Sequence, residues 1–505
     1  MNHLFDIFRA GGMASPALPF IRPPDGSAMS YGEVLEASGA MANALVSLGV
    51  KPGDRIAVQV EKCAEAVILY LAAVRAGAVF LPLNTAYTLA ELSYFFEDAE
   101  PKLVVCDPRH RDAIAAAVPG TTVETLDGTG NGSLTRLAST MPGAFVDVPR
   151  GADDLAAILY TSGTTGRSKG AMLTHDNLGS NAKALSAQWR FTRADVLIHA
   201  LPIFHTHGLF VAINVTLVSG ASMIFLPKFD PAAILSAMPG ATVMMGVPTF
   251  YVRLLEERRL TRHAAAGVRL FISGSAPLLP ETFNAWRERT GHTILERYGM
   301  TETNINTANP YDGERIAGTV GHALPGVAVR VTDPDSGTPL AAGEIGMIEV
   351  KGPNVFKGYW RQPEKTAAEF RGDGFFITGD LGSIDERGYV RILGRTKDLV
   401  ITGGFNVYPK EVESEIDEIA GVAESAVIGV PHPDFGEGVT AVVVRKAGSA
   451  LTESDVLAAL DGRLARFKQP KRVLFVDELP RNTMGKVQKN VLRERFNALY
   501  AAAPA

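Results

Sequence analysis

The chain has 505 residues, of which 46% are hydrophobic and 20% are charged. This composition excludes a largely disordered protein, and the length predicts a few domains or subdomains instead of a single hydrophobic core. The net charge of −5 excludes a global basic field, so neither a nucleic acid nor an anionic membrane is expected as a partner.

The N-terminal segment and the two cysteines bear on the compartment. Asp6 and Arg9 interrupt the first apolar stretch, which is unlike a signal peptide. Cys63 and Cys106 lie in apolar contexts without a CxxC pair, which argues against a disulfide framework and against a structural zinc site. We therefore expect a cytoplasmic protein.

Strands alternate with helices through the first half of the chain. The pattern predicts helices over 64–76 and 91–99, and an apolar strand over 155–159 precedes a polar loop. Such alternation indicates an α/β fold with parallel sheets that are covered on both faces. The other predicted strands of this part lie at 55–60, 79–82, 103–106, 196–200, 222–226, 243–247 and 268–273.

One uncharged run, residues 208–227, is long enough to span a bilayer. Ser219 and Gly220 divide it into a helix-length piece and a strand-length piece, and Asn214 and Thr216 make it less apolar. The run is therefore predicted to form a buried helix, a turn and a strand.

From about residue 318 the pattern of predicted elements changes, and short strands are separated by glycine and proline. This pattern indicates a small β-rich subdomain. These strands lie at 327–332, 345–351 and 389–393. Beyond the segment 394–404, a compact α+β unit is predicted, with helices and strands at 410–419, 425–430, 438–445, 453–460 and 473–476. We expect a large N-terminal domain over residues 1–396 and a small C-terminal domain over residues 397–505.

The strongest local motif is the loop YTSGTTGRSKG at residues 160–170. Its glycines allow close approach to a ligand, its hydroxyls and N–H groups can surround an anion, and Lys169 adds a positive charge for phosphate. The order Ser-Lys-Gly differs from a Walker loop, and no GxGxxG follows a strand. A flexible surface loop is the alternative, but the density of these residues favours phosphate binding.

Four further motifs follow this loop in order. They read Ser273-Gly274-Ser275-Ala276-Pro277-Leu278, Tyr298-Gly299-Met300-Thr301-Glu302, Thr378-Gly379-Asp380 and Arg481-Asn482-Thr483-Met484-Gly485-Lys486. Together with the loop they resemble, over almost the whole chain, the adenylate-forming superfamily of acyl-CoA synthetases, peptide-synthetase adenylation domains and luciferases. Within it the chain is most similar to the malonyl-CoA synthetases. The resemblance implies ATP, Mg²⁺ and coenzyme A as cofactors or co-substrates, and a mobile C-terminal domain.

The resemblance gives catalytic roles to Lys169, Thr301, Glu302 and Lys486, with Glu302 as the Mg²⁺ ligand. Mg²⁺ prefers carboxylate and phosphate oxygens, and a lysine can stabilise charge that develops at the α-phosphate. Taken alone, the Thr–Glu pair could cap a helix, and residues 273–278 could form an ordinary strand–helix turn. The residues implied to bind ATP are Thr161, Ser162, Gly163, Thr164, Thr165, Gly166, Lys169, Gly274, Ser275, Ala276, Arg297, Tyr298, Gly299, Met300, Thr301, Asp380, Arg395 and Lys486.

Further roles in the C-terminal part follow from the same resemblance. Lys397 matches the hinge about which the C-terminal domain is expected to rotate between two half-reactions, although a solvated linker charge fits equally well. Lys486 matches the usual target of a lysine acetyltransferase and deacetylase. The CoA phosphates are expected at Gly403, Gly404, Arg463 and Lys468, with a solvated basic face as the alternative.

Arg253 directs the prediction of the acid. If a helix starts at Pro248, then Phe250, Arg253 and Leu254 share one face. A guanidinium on an apolar face needs a partner. A second carboxylate on the substrate would supply that partner, and an ion pair with Glu257 is the alternative. By the resemblance, His207 and Ser275 complete the carboxylate site.

Together with Arg253, the resemblance implies a malonate–CoA ligase that converts malonate, ATP and CoA to malonyl-CoA, AMP and pyrophosphate through malonyl-AMP. Methylmalonate differs from malonate by one methyl group, which is worth only ~1–3 kcal/mol, so the sequence does not rank the two acids. The alternatives are a synthetase for another small carboxylic acid, an adenylation enzyme with a carrier-protein acceptor, and a non-catalytic nucleotide-binding module.

Overall fold

The computed structural model describes residues 1–23, 27–161, 168–403, 405–482 and 485–501. By their contacts these residues form two compact units. The first comprises Met1–Ala328 and Val350–Phe376, and the second comprises Val329–Glu349 and Ile377–Ala505. The domain boundary predicted at residue 397 lies inside the second unit and stays a prediction.

The strands are numbered here in chain order. They are β1 (Pro19–Arg22), β2 (Met29–Ser30), β3 (Arg55–Gln59), β4 (Val79–Pro82), β5 (Leu103–Cys106), β6 (Thr122–Thr125), β7 (Leu155–Thr161), β8 (Lys169–Thr174), β9 (Val196–His199), β10 (Ser222–Phe225), β11 (Val243–Gly246), β12 (Leu270–Ser273), β13 (Ile294–Met300), β14 (Asn304–Ala308), β15 (His322–Ala323), β16 (Ala328–Thr332), β17 (Gly346–Lys351), β18 (Gly358–Tyr359), β19 (Phe376–Ile384), β20 (Val390–Arg395), β21 (Val400–Thr402), β22 (Phe405–Val407), β23 (Val422–His432), β24 (Gly436–Arg445) and β25 (Arg472–Val476).

Among the described residues, four helices begin with a capping box, in which a Ser or Thr side chain and the side chain three residues later bond each other's backbone N–H groups. These are the second, fourth, seventh and fifteenth of the series. The α-helices are α1 (His3–Ala10), α2 (Tyr31–Ser47), α3 (Ala64–Arg75), α4 (Leu89–Ala99), α5 (Arg111–Ala117), α6 (Ser133–Ala138), α7 (His175–Gln188), α8 (Asn214–Ser219), α9 (Pro231–Ala237), α10 (Pro248–Leu255), α11 (Arg262–Ala265), α12 (Pro280–Thr290), α13 (Pro363–Ala368), α14 (Pro409–Asp417), α15 (Glu453–Leu460) and α16 (Lys489–Arg495).

Two large sheets form the frame of the first unit. Among the described residues, one has nine strands in the order β15-β14-β13-β12-β11-β9-β10-β1-β2, and its centre from β13 to β1 is parallel. The other has seven strands in the order β18-β8-β7-β4-β3-β5-β6, with a parallel centre and antiparallel strands at one edge. The α/β class predicted from strand–helix alternation is confirmed.

An aromatic cluster holds α10 and α12 against the nine-stranded sheet. The Trp286 ring lies edge-on to Tyr251 and Phe271, with centroids 4.9 and 5.0 Å away, and all three side chains are fully buried. The Tyr251 hydroxyl donates a hydrogen bond to the Ile272 carbonyl at 2.6 Å. This packing fixes the start of α10 at the edge of the sheet where β12 ends.

The second unit contains two smaller sheets. One has the order β16-β17-β19-β20, and the other pairs β22, β21, β24 and β23 in that order, with β25 parallel to β24. Helices α14 and α15 cover a core of valine, leucine and isoleucine on the second of these sheets. The predicted β-rich and α+β segments therefore both occur.

The uncharged run at 208–227 folds as the sequence predicts. A π-helix over His207–Ile213 continues into α8, Gly220 ends the helix with a left-handed φ of 72°, and β10 follows. In the part of the chain that the structure describes, no helix is both long and apolar enough to cross a membrane.

Candidate active site

Several predicted site residues meet at one edge of the nine-stranded sheet. Strands β9, β11, β12 and β13 are parallel neighbours, and the register pairs His199 with Met245, Gly246 with Ser273, and Ser273 with Glu296. The residues that follow these strands therefore leave from the same edge, which is the usual place for a ligand in an open α/β sheet.

Arg297, on β13, is a buried guanidinium beside the turn that follows β12. Only 4% of the residue is exposed, and its Nε and Nη2 atoms have no hydrogen-bond partner among the described residues. A Cβ atom on Gly274 would lie 2.4 Å from the Arg297 Cζ atom, so glycine is required there for this approach. Burial lowers the pKa of Arg297 from its usual, very high value.

His207 and Ser275 lie in the same place. The Ser275 Oγ and His207 Nδ1 atoms are 3.2 Å apart, and the buried His207 Nε2 atom has no partner in the described part of the chain. Burial, and then the charge of Arg297, hold the pKa of His207 well below its ordinary value, so the ring is neutral near pH 7. When Ser275 donates to Nδ1, Nε2 carries the ring hydrogen and is a free donor.

These atoms form a buried cluster of donors that lacks an acceptor. An unpaired buried guanidinium is costly, and polar atoms left without partners at a buried position point to a ligand that supplies them. A carboxylate fits both charge and geometry, because it accepts two parallel hydrogen bonds from a guanidinium. The cluster is therefore a candidate binding site for a carboxylate group.

Arg253 lies on α10, which starts as predicted at Pro248. The buried face of this helix is formed by Tyr251 and Leu254, whereas Arg253 is exposed. The described residues contain no ion pair between Arg253 and Glu257. The argument from an unpaired buried charge therefore applies to Arg297, and the role of Arg253 stays a prediction.

The phosphate loop connects two antiparallel strands, β7 and β8, and Thr161 faces Lys169 across them. The Lys169 Nζ atom lies 3.3 Å from a carboxylate oxygen of Glu369 and 4.3 Å from the centre of the Tyr359 ring. The Tyr94 hydroxyl donates to the Ser168 carbonyl at 2.7 Å, which anchors one end of the loop. The predicted ligands Ser162, Gly163, Thr164, Thr165 and Gly166 lie outside the described residues.

Glu369, which sequence reasoning missed, joins Lys169 to the predicted Mg²⁺ ligand. The Tyr359 hydroxyl is 2.7 Å from Glu369 and 3.1 Å from Glu302. Burial alone would raise the pKa of Glu369, but hydrogen bonds from Lys365 and Tyr359 and the charge of Lys169 lower it. Burial and the two carboxylates raise the pKa of Tyr359. Glu302 is 6% exposed and supplies the hard oxygen atoms that Mg²⁺ prefers.

Thr301 and Glu302 lie in the turn between β13 and β14, whose preceding residues Tyr298, Gly299 and Met300 end β13. The alternative that this pair caps a helix is wrong. The buried Asn354 side chain donates to the carbonyls of Thr303 and Ile305 at 2.7 and 3.2 Å, and the Phe356 N–H donates to the Glu302 carbonyl. These bonds fix the turn.

In the second unit, Asp380 on β19 faces Arg395 on β20 in the antiparallel register. The Arg395 Nε atom is 3.0 Å from a carboxylate oxygen of Asp380, whose side chain is 6% exposed. Thr378 accepts a hydrogen bond from the Asp380 N–H and donates to the Ile348 carbonyl. The ion pair with Arg395 orients the carboxylate, and the hydrogen bonds of Thr378 fix the backbone that carries it.

Lys486 lies in a tight turn closed by hydrogen bonds between Asn482 and the backbone of residues 485 and 486. Burial, and then the charges of Arg395 and Lys489, lower the pKa of Lys486, whereas the charges of Asp380 and Asp398 act in the opposite direction. The predicted ribose and catalytic residues are therefore neighbours within this unit. Among the described residues Lys486 has no ion pair. Nearby basic residues do, since Lys489 contacts Glu413 at 2.5 Å and Arg493 contacts Asp398 at 2.6 Å.

The other predicted residues of this unit lie at exposed or partly exposed positions. Lys397 lies in a 3-10 turn over Thr396–Asp398 and is exposed, and Gly403 follows β21 with a left-handed φ of 57°. Gly404 lies outside the described residues. Arg463 contacts Glu415 and Glu418, and Lys468 contacts Glu411 at 2.5 Å, so binding of CoA phosphates there would have to replace these carboxylates.

Comparisons with known proteins agree with this geometry. The chain matches the family described as AMP-binding enzyme over residues 9–360 and the AMP-binding enzyme C-terminal domain over residues 411–486. It is 37% identical to a feruloyl-CoA synthase of Amycolatopsis sp, with 93% of this chain and 94% of that protein covered. It is 34% identical to a malonate–CoA ligase of Arabidopsis thaliana, with 93% and 85% covered. The crystal structure of ATP-bound MatB from Rhodopseudomonas palustris is 66% identical, with 99% of each chain covered and a TM-score of 0.97.

Proposed function

Because the chain belongs to the AMP-binding enzyme family and is an AMP-forming acid–CoA ligase that uses ATP, we propose that the acid it activates is malonate. Relatives named for malonate and for feruloyl substrates are about equally similar, so overall similarity does not select the acid. The observation that carries the proposal is the buried Arg297 guanidinium, which has two unpaired nitrogen atoms.

A dicarboxylic acid suits this site because its two carboxylates have different tasks. One carboxylate must remain free to attack phosphorus, and the distal one would accept hydrogen bonds from Arg297, His207 and Ser275. A monocarboxylic acid such as acetate would leave those buried donors unpaired, which disfavours it strongly. Arg253, on the helix α10 that follows β11, remains a proposed second ligand of the distal carboxylate.

In the proposed first step, a carboxylate oxygen of malonate attacks the α-phosphorus of ATP, and pyrophosphate leaves. Lys169 and the hydroxyls of the loop after Thr161 would hold the phosphates, and Lys486 would stabilise the charge that develops between the carboxylate and the α-phosphate. Glu302 would hold Mg²⁺, which neutralises phosphate charge when it is bound. Asp380 and Arg395 would orient the ribose.

In the proposed second step, the C-terminal domain rotates about Lys397 and the thiol of CoA attacks the acyl carbon of malonyl-AMP. The thiol proton is lost, AMP leaves with both electrons of the broken acyl–oxygen bond, and malonyl-CoA is released. The protein contributes position and electrostatic stabilisation in both steps and forms no covalent intermediate. Methylmalonate remains a candidate second substrate, since one methyl group changes binding by only ~1–3 kcal/mol.

A CoA-dependent AMP-release assay with acetate, propionate, malonate, methylmalonate and succinate tests this proposal. We expect kcat/KM for malonate to exceed that for acetate by about a hundredfold or more, because acetate leaves the buried donors unpaired. Comparable or better turnover of acetate would contradict the assignment. Malonate-dependent pyrophosphate exchange without consumption of CoA would instead favour a carrier-protein acceptor.

A further inference from the structure

Lys62, in the segment between β3 and α3, is a buried lysine that the proposed reaction does not use. It is 8% exposed, and no carboxylate lies within ion-pair distance of it in the described part of the chain. Its Nζ atom lies 2.7 Å from the carbonyl oxygen of His199 and 2.9 Å from the Nδ1 atom of the same residue. The Phe225 ring covers it, with its centre 4.2 Å from Nζ.

The hydrogen bonds of His199 show which atom donates in its contact with the Lys62 Nζ atom. The Nε2 atom of His199 is 2.9 Å from the Gly208 carbonyl oxygen, which can only accept, so Nε2 carries the ring hydrogen. The Nδ1 atom is then an acceptor, and Lys62 donates to it. Burial, and then the charge of Lys62, hold the pKa of His199 well below its ordinary value, so the ring is neutral near pH 7 and its Nδ1 atom can accept from Lys62.

Gly208 is the second residue of the π-helix whose first residue is His207. A Cβ atom at position 208 would lie 1.9 Å from the Pro202 carbonyl oxygen, so the start of this helix is packed tightly against the chain that precedes it. The hydrogen bond from His199 thus holds the carbonyl group of the residue that follows His207, at the end of the helix where His207 contacts Ser275.

We propose that Lys62, acting through His199 and the Gly208 carbonyl, is a positioning residue that holds His207 in place to receive the distal carboxylate of the acid. This inference rests on the proposed function. Lys62 does not touch the substrate; it fixes the ring of His199, and that ring fixes the first turn of the π-helix. Loss of this support would weaken binding of the acid more than binding of the nucleotide.

The matched pair of variants is Lys62→Met and Tyr70→Phe. Methionine keeps much of the length of lysine but cannot donate to His199. Tyr70→Phe also removes a buried hydrogen bond, which the Tyr70 hydroxyl on α3 donates to the Asn214 side chain at 3.2 Å. Asn214 lies seven residues beyond His207, where the π-helix continues into α8. Lys62→Met loses two buried hydrogen bonds to His199 and Tyr70→Phe loses one to Asn214, but only Lys62→Met removes the support of His207.

We expect Lys62→Met to raise KM for malonate about tenfold while KM for ATP changes less than about twofold, because the variant leaves two buried acceptor atoms of His199 without their donor. Tyr70→Phe should leave both KM values close to those of the wild type. Equal increases in both KM values, or the same malonate effect in Tyr70→Phe, would overturn the inference, because a general loss of structure would explain them.

Nitrogen-15 NMR of the histidine-labelled wild-type enzyme provides a readout that does not depend on activity. His199 should be the Nε2–H tautomer with a hydrogen-bonded Nδ1, and the His207 resonances should move in Lys62→Met but not in Tyr70→Phe. An Nδ1–H tautomer at His199 would overturn the inference even if Lys62→Met does not fold. A wild-type enzyme without a preference for malonate would contradict the proposed function, whereas such a preference retained in full by Lys62→Met would contradict this inference alone.

Discussion

The Arg297→Met variant is expected to lose about a thousandfold in kcat/KM for malonate, which corresponds to ~4 kcal/mol. Methionine is similar in length but carries no charge, so the distal carboxylate would be buried without its partner. Turnover of acetate should stay the same or rise, because the variant has no buried guanidinium that acetate would leave without an acceptor. The measurement is steady-state AMP release with each acid at saturating ATP and CoA.

Thermal unfolding separates this effect from damage to the fold. Arg297 is buried with two unpaired nitrogen atoms, so its replacement by an apolar side chain should leave the Tm unchanged or raise it. A lower Tm together with equal losses for malonate and acetate would contradict a binding role. Such a result would make Arg297 a structural residue.

Two exposed arginines serve as comparisons for Arg297. Arg253→Met tests the residue that the sequence singled out, and Arg258→Met is a matched control with an exposed side chain. A malonate-specific loss in Arg253→Met would add this residue to the carboxylate site. Unchanged malonate kinetics in Arg253→Met would leave Arg297, His207 and Ser275 as the whole site.

The Lys486→Ala variant should slow malonate-dependent pyrophosphate exchange by about a hundredfold to a thousandfold. The proposed role of Lys486 is to stabilise charge in the first half-reaction, so the rate of CoA attack on supplied malonyl-AMP should change little. Acetylation of Lys486, which the family resemblance implies, would remove the same charge and should have the same effect. Rapid-quench assays of the two half-reactions provide the measurement.

Lys446→Ala is the control for Lys486, because Lys446 is an exposed lysine of the same unit. It should keep both half-reactions at wild-type rates. Equal losses in both half-reactions of Lys486→Ala would contradict a role confined to adenylation. A fully active Lys486→Ala enzyme would contradict the mechanism as a whole.

Several strands of the two large sheets could be predicted because each is marked by a short local pattern of residues. The strands that become β3, β4, β5, β9, β10, β11 and β12 are short apolar runs bounded by polar or glycine residues, and they occur at the predicted positions. The antiparallel strands β8, β14 and β18 were not predicted. Each is part of a polar or glycine-containing segment, and its strand state depends on a partner far along the chain.

The sequence predicts those residues of the candidate site that lie together in a motif. It does not predict contacts between segments that are far apart in the chain. Glu369 contacts Lys169, which is 200 residues earlier in the chain, and no local pattern marks it. Lys62 and His199 are similarly separated. The family resemblance places Arg297 among the ATP-binding residues. Its approach to Gly274 depends on the register of β12 and β13, which no local pattern in the sequence gives.

The position of the distal carboxylate in a complex tests the central claim most directly. A crystal structure of the wild-type enzyme with a non-hydrolysable malonyl-adenylate analogue would reveal it. We expect the distal carboxylate oxygens within about 3.2 Å of the Arg297 guanidinium nitrogens and of His207 Nε2. A distal carboxylate that points to solvent, with Arg297 paired to another group or to the nucleotide, would contradict the account.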